Sequence, residues 1–168
     1  MSKNIKILLI GKKSFISQNL NFYLKNKIKI EIFSYEDFKK LNNNKLKNFN
    51  FICNCSINKN YENKKYKLKN DIDLKIAKKI LKTKIKYIFL SSRKIYKSKA
   101  NIKENSLKTP LDNYSKNKFK TEKKLYQLLK KKLLILRISN LIGKIYNHDQ
   151  NRKISKTFIY NFYKLKRK

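Results

Sequence analysis

The stretch Ile5-Lys6-Ile7-Leu8-Leu9-Ile10-Gly11-Lys12-Lys13-Ser14-Phe15-Ile16-Ser17 decides the fold class. Ile5 to Ile10 is short, apolar and rich in β-branched residues, the pattern of a strand buried on both faces. Gly11 supplies a turn. Phe15, Ile16, Leu20, Phe22, Tyr23 and Leu24 then mark a helix that fades at Asn26-Lys27. Strand, glycine turn and helix, in that order, open a doubly wound α/β sheet, and the helix N-terminus suits a phosphate. Any strand–turn–helix with one glycine reads the same way. The stretch therefore sets the class and leaves the ligand open.

The rest of the chain keeps the alternation. Residues 27–33 alternate as a second strand. Residues 36–41 form a short helical stretch, and 42–48 a polar connection. A third strand, 49–53, runs into Asn54-Cys55-Ser56, and residues 58–69 have no clear register. Ile72, Ile76 and Ile80 recur at four-residue steps, so the spacing predicts a helix over 70–81 with Asn70 or Asp71 as its N-cap. Residues 85–90 are a fourth strand with Ser91-Ser92 as its exit turn. After an irregular segment, a long helix over 113–131 is anchored by Phe119, Leu125, Leu128 and Leu129, and 133–138 is a fifth strand. Short apolar strands alternating with longer helices predict an α/β fold with a doubly wound, mainly parallel sheet of about five or six strands. Residues 1–143 read as one domain. Residues 144–168 read as a basic aromatic tail, containing His148 and Phe158-Ile159-Tyr160-Asn161-Phe162-Tyr163, and as one helix.

With 168 residues the chain is long enough for one domain with a sizeable core. Its charge is extreme: 45 Lys and Arg against 10 Asp and Glu, a formal net charge of +35. Such a field attracts phosphates, nucleotides and nucleic acid, with strong salt dependence. Asn, Ile, Tyr and Phe are abundant beside Lys, while Gly (2), Pro (1) and Trp (0) are scarce. Drift towards A/T-rich codons accounts for that whole pattern, whereas selection for nucleic-acid binding leaves Asn and Ile unexplained. Cys53 and Cys55 form a C-x-C pair with no second pair, so no zinc site is expected. They read as reduced core thiols of a cytoplasmic protein. The apolar run at 5–10 is too short for a signal or a membrane span, and no membrane partner is expected.

The chemistry centres on Tyr114-Ser115-Lys116-Asn117-Lys118. Residues four apart lie on one helix face. An ammonium ~4 Å from a phenol favours the phenolate by ~4 kcal/mol at an effective dielectric near 20. That shift brings a pKa of ~10 most of the way to neutrality, so Tyr114 would serve as a general acid or base. The pair alone is weak in a chain with 11 tyrosines; Tyr61 and Lys65 share the spacing by chance.

The surroundings strengthen it. Ser91-Ser92, Ile95-Tyr96-Lys97, Pro110-Leu111-Asp112-Asn113-Tyr114-Ser115-Lys116-Asn117-Lys118 and Leu136-Arg137-Ile138-Ser139-Asn140-Leu141-Ile142-Gly143 occur in that order. The set resembles the extended short-chain dehydrogenase/reductases, the group that includes nucleotide-sugar epimerases, dehydratases and dTDP-4-dehydrorhamnose reductase. The family's strand ends in a Ser/Thr turn before a "vYG" element, whose glycine is Lys97 here. A P-x-x-x-Y-x-x-x-K helix and an "LR-x-x-N-x-x-G" strand follow. Its G-x-x-G-x-x-G loop falls on Gly11, Ser14 and Ser17, so one glycine of three is kept, with Phe15-Ile16 retained. Ser14 places a side chain where backbone meets pyrophosphate, with a hydroxyl able to donate to it. Ser17 thickens the helix–strand contact.

The resemblance implies a Rossmann-type NAD(P)-binding domain. Catalytic roles fall on Ser92, Tyr114 and Lys118. Ser92 would bond the substrate oxygen, Tyr114 would move its proton, and Lys118 would lower the tyrosine's pKa and hold the ribose of the nicotinamide. Cofactor binding falls on Gly11, Ser14, Phe15, Ile16, Asn54, Cys55, Ser56, Asn70, Ser91, Tyr114 and Lys118. NAD and NADP both stay open: Ser34-Tyr35 stand where NAD-preferring folds place an acid, and Lys12 and Lys13 suit a 2′-phosphate. The implied substrate is a nucleotide sugar and the implied reaction hydride transfer. The resemblance gives out after Gly143, so the C-terminal substrate domain is expected to be missing, and a homo-oligomer or a completing chain would have to supply it. Two alternatives stand beside this reading. One is a truncated or decayed family member that folds and binds cofactor without turnover. The other is a basic nucleic-acid-associated protein.

Overall fold

The computed structural model describes residues 5–56, 58–97, 100–141 and 143. Five strands form one sheet: β1 (Lys6–Ile10), β2 (Lys29–Phe33), β3 (Phe51–Asn54), β4 (Lys86–Ser92) and β5 (Leu133–Ile138). Their order is β2-β1-β3-β4-β5, and every neighbouring pair is parallel. The helices are α1 (Phe15–Leu24), α2 (Tyr35–Lys40), α3 (Asn43–Leu46), α4 (Ile72–Lys79) and α5 (Asn113–Leu129). This is the doubly wound parallel sheet that the alternation predicts.

Each parallel crossover puts its helix on a face fixed by the right-handed rule. The β1–β2 crossover runs opposite to the others along the sheet, so α1 covers one face and α2 to α5 the other. On the α2–α5 face, Leu8, Ile10, Ile52, Tyr87 and Phe89 pack with Phe38, Leu46, Ile76, Ile80, Leu125 and Leu129. On the α1 face, Leu9 and Cys53 pack with Ile7, Ile16, Leu20, Ile88 and Leu90. The reversal of crossover direction between β1 and β3 opens a crevice at the strands' carboxyl ends.

Several boundaries differ from the sequence expectation, each for a local reason. The polar connection at 42–48 contains α3, because Asn42 caps it through Lys45 N–H and Leu46 is fully buried. Phe49 is buried but outside the strand, its N–H closing the turn onto Leu46. The N-cap of α4 is Asp71, whose carboxylate accepts from Leu74 N–H; Asn70 ends a short 3-10 turn, Leu68–Asn70, instead. Ser91 and Ser92 are not an exit turn: β4 runs through them, paired with Arg137 and Ile138. The helix and tail expected over 144–168, with His148, lie outside the described residues.

Lysine also closes helices here. Lys132 Nζ donates to the carbonyls of Leu81 and Thr83 at 2.7 and 3.1 Å, at the end of α4. Lys79 Nζ donates to Lys39 O at 2.6 Å at the end of α2. Both ammonium groups meet the negative end of a helix.

Candidate functional site

The glycine turn and its serines form the floor of the crevice. Gly11 has φ +128°, and a Cβ there would lie 3.0 Å from Ser56 N and 3.1 Å from Ser14 Cβ. Only glycine fits that conformation without strain. Its N–H donates to Phe33 O at 2.7 Å, which ties the turn to β2. Ser14 caps α1 by accepting from Ile16 N–H, and its hydroxyl donates to Cys55 O at 2.5 Å. Ser17 is fully buried and donates to Gly11 O at 2.5 Å. Both serines thus point into the protein and staple the turn to β3 and to itself. Ser14 is committed to a carbonyl rather than turned out towards an incoming phosphate. No acidic residue stands in the first turn of α1, which leaves its positive end suited to an anion.

The end of β3 forms one wall. Asn54 is buried; its oxygen accepts from Ser56 N–H and from the Ser56 hydroxyl at 2.6 Å, while its amide donates to Asp73 at 3.0 Å. Cys55 is buried against Cys53, the two sulfurs 3.8 Å apart, and both thiols are free. The neighbouring Cys55 thiol and burial push Cys53 up, so it stays neutral. Phe15 and Ile16 open α1, Ile16 in the core of that face. Asn70 is exposed, beside Lys67 in a shallow pocket of about 300 Å³.

β4 and α5 supply the other wall. Asp112 caps α5 through Ser115 N–H at 2.7 Å, which fixes where Tyr114 emerges. Ser92 sits at the end of β4, where its hydroxyl accepts from Lys94 N–H and stands near enough to the Tyr114 phenol to hold its pKa down. The structure therefore brings Ser92 and Tyr114 together. Ser91, beside them, is buried with a hydroxyl that has no protein partner.

Lys118 takes a different position from the one expected. Its ammonium donates to Leu90 O at 2.7 Å and lies over the rings of Tyr61 and Phe89, 4.4 and 4.6 Å from their centroids. No hydrogen bond joins it to Tyr114 among the described residues. The expected lowering of Tyr114 is absent: burial pushes its phenol up, Asp112 and Glu62 add to the rise, and the Ser92 hydroxyl opposes it. Burial pulls Lys118 down, while Asp73 and Asp71 hold it up.

A buried polar network explains where Lys118 goes. Asp73, on the packed side of α4, accepts from Asn54, from Tyr61 at 2.9 Å and from Tyr87 at 2.6 Å. Burial pushes its carboxyl up, and Lys118 is the largest opposing influence. Asp71 accepts from Thr121 and Tyr66. Asn117 donates to the carbonyls of Tyr61 and Asn63, clamping that loop onto α5. The Tyr61 ring meets Tyr114 edge-on with centroids 6.2 Å apart. Tyr61 and Asp73 escape a reading built on motifs. The available signal was Asp73 itself, a carboxylate beside the Ile72–Ile76–Ile80 stripe, where burial demands a partner.

Behind the site, Arg137 clamps three segments. It donates twice to Glu122 at 2.9 Å and once to the Tyr96 hydroxyl at 2.8 Å, and Tyr96 in turn donates to Glu104 O. The paired guanidinium and carboxylate hold β5, α5 and the Tyr96 loop in register.

No protein-family profile and no curated protein matches the chain. Solved structures do. A dTDP-4-dehydrorhamnose reductase from Clostridium acetobutylicum superposes with a TM-score of 0.71 at 20% identity, over 97% of this chain and 60% of that one. A UDP-N-acetylglucosamine 4-epimerase from Bacillus cereus gives 0.66 at 16% identity, over 88% and 65%. A UDP-glucuronic acid 4-epimerase from the same organism, in complex with NAD, gives 0.61 at 19% identity, over 80% and 57%. The chain spans less than two thirds of the length of each of these. Sheet order, glycine turn and superposition together show a Rossmann-like α/β fold, the fold of these solved sugar-nucleotide epimerases and reductase.

Proposed function

We propose that the chain binds NAD or NADP in the Gly11 crevice and serves an oxidoreductase, epimerase or dehydratase reaction on a nucleotide sugar. The observation that carries this reading is the meeting of Ser92 and Tyr114 at the carboxyl end of β4, with Lys118 one helical turn behind Tyr114. The residues fit the cofactor. Gly11 makes the tight turn that brings the backbone to the α1 N-terminus, the acid-free N-terminus of α1 suits a pyrophosphate, and the buried Ser91 hydroxyl lacks a protein partner.

When bound, the cofactor supplies hydride chemistry. The chain's own residues orient and move the proton. Ser92 hydrogen-bonds the sugar's reacting oxygen, and Tyr114 gives it a proton or takes one. With its phenol pushed up, Tyr114 favours the acid role in the free protein. Work as a base needs the Lys118 ammonium to leave Leu90 O and approach the phenol. A second reading, a folded binder without turnover, rests on that same Lys118 position.

Turnover of UDP- and dTDP-sugars with each cofactor, in the natural chain and in Tyr114→Phe, tests the proposal. The expected result is turnover that Tyr114→Phe abolishes while the chain still binds cofactor. Equal turnover in both, or none in the natural chain, overturns the catalytic reading.

A further inference from the structure

Tyr61 lies in the 3-10 turn Lys59–Glu62, on the connection between β3 and α4, and is 1% exposed. It is pinned from two helices. Its hydroxyl donates to Asp73 on α4 at 2.9 Å. Its carbonyl accepts from the side-chain amide of Asn117 at 3.1 Å, and Asn63 O accepts from the same amide at 3.1 Å. Asn117 sits on α5 between Tyr114 and Lys118. Tyr66, whose hydroxyl reaches Asp71 and Thr121, packs beside the Tyr61 ring with centroids 5.4 Å apart. Backbone, ring and hydroxyl of Tyr61 are therefore each fixed by a separate contact.

That placement brings the ring against both members of the Tyr114–Lys118 pair. The Lys118 ammonium lies 4.4 Å from the Tyr61 centroid and 4.6 Å from that of Phe89, and donates to Leu90 O at 2.7 Å. β3 pairs with β4 no further than Ile88, so Leu90 lies past the end of that ladder. A carbonyl and two rings thus make a seat for a buried cation, and ring faces attract an ammonium most where water is excluded. Burial disfavours the charged form of Lys118, and Asp73, the acceptor of the Tyr61 hydroxyl, is the first group to oppose that. The same Tyr61 ring meets that of Tyr114 at 88° with centroids 6.2 Å apart. Helical spacing alone would let Lys118 reach the phenol; the seat holds it elsewhere.

We propose that Tyr61 is a positioning residue of the candidate site: its ring, pinned by Asp73 and Asn117, seats the Lys118 ammonium at Leu90 O and off the Tyr114 phenol. Burial, Asp112, Glu62 and Asp73 then favour the protonated phenol, and the Ser92 hydroxyl opposes them. Lys94, 5.9 Å from the Tyr114 centroid, is shared with Asp112 at 3.6 Å. Tyr114 keeps its proton in the free chain and is set to donate it to a substrate oxygen. That use rests on the proposed function; the seat itself does not.

A double-mutant cycle on the Tyr114 titration tests the proposal. The full chain, without cofactor or sugar, is followed by tyrosine ring-carbon NMR, with the signal assigned by Tyr114→Phe. Lys118→Met is made in the natural chain, in Tyr61→Phe, which keeps the ring, and in Tyr61→Met, which fills the space without a ring face. The expected result is a Tyr114 midpoint that Lys118→Met leaves essentially unchanged in the first two. In Tyr61→Met, where the freed ammonium reaches the phenol, the same substitution should raise it by about 1 pH unit or more. A rise of that size in the natural chain overturns the proposal, and this arm needs no variant at Tyr61. Equal midpoints with and without Lys118 in a folded Tyr61→Met chain overturn it as well. Loosened packing alone shifts Tyr114 equally with either residue at 118. Turnover distinguishes the seat from the reaction. The predicted cycle without turnover keeps the seat and removes the reaction, whereas turnover with a null cycle keeps the reaction and removes the seat.

Discussion

The Lys118 ammonium stands 4.4 Å from the centre of the Tyr61 ring, held there by Leu90 O and by the nearby charge of Asp73. Tyr61 is thus the neighbour that the helical spacing of Tyr114 and Lys118 does not announce. It offers a face to the ammonium, an edge to Tyr114 and a hydroxyl to Asp73.

Tyr61→Phe keeps the ring and deletes one of three donors to a buried carboxylate. The expected cost is about 1–3 kcal/mol in urea unfolding, because Asp73 is left under-solvated. The denaturant slope should not change. A loss below a few tenths of a kcal/mol would mean that Asp73 does not depend on that bond.

Tyr114 should titrate above its ordinary value when no cofactor is present, since burial pushes it up. The folded state then holds a proton that the unfolded state has released. Stability from this group is complete below pH ~10, the unfolded value, and falls as pH rises from there through the folded pKa. Tyrosine ring-carbon NMR, with the signal assigned by Tyr114→Phe, reads the titration directly. A midpoint well below 10 would show that Lys118 already acts on the phenol in the free chain.

Gly11→Ala forces a Cβ to 3.0 Å from Ser56 N at φ +128°. The strain costs about 1–3 kcal/mol, and the methyl pushes the turn away from Ser56 and Ser14, displacing the backbone a pyrophosphate would meet. Thermal melting should shift down, and nicotinamide affinity should fall at least tenfold at a temperature where the variant stays folded. Unchanged affinity would separate the turn from the binding site.

Lys130 ends α5 at φ 46° and ψ −119°, a conformation a side chain resists. Lys130→Gly should stabilise the chain by about 1 kcal/mol. A lower melting temperature would mean that the lysine makes a compensating interaction.

Strands and helices were legible where hydrophobic period and length agreed, as in Ile5–Ile10 and the Ile72–Ile76–Ile80 stripe. Short α3 was missed because one buried residue, Leu46, carries it. Ser91 and Ser92 looked like a turn because polar residues rarely continue a strand; pairing with Arg137 and Ile138 overrides that preference. At the site, sequence spacing put Tyr114 and Lys118 on one helix, and the structure adds the Ser92 contact to Tyr114. The direction of the Lys118 side chain was not legible. It depends on Asp73, Tyr61 and Leu90, brought in from α4, a loop and β4, whose proximity no local period encodes. The serines at 14 and 17 read as obstructions, yet the Ser14 hydroxyl donates to Cys55 O beyond β3 and the Ser17 hydroxyl to Gly11 O within the turn.

The central claim is that the Gly11 crevice accepts a nicotinamide dinucleotide, and titration of the full chain with NADH and NADPH, followed by cofactor fluorescence, tests it most directly. Salt of about 0.3 M suppresses the nonspecific attraction of a +35 chain for phosphates. The account predicts saturable binding that Gly11→Ala weakens and Tyr114→Phe leaves largely intact. Binding that disappears with salt, or none at all in a chain whose circular dichroism shows it folded, would contradict it.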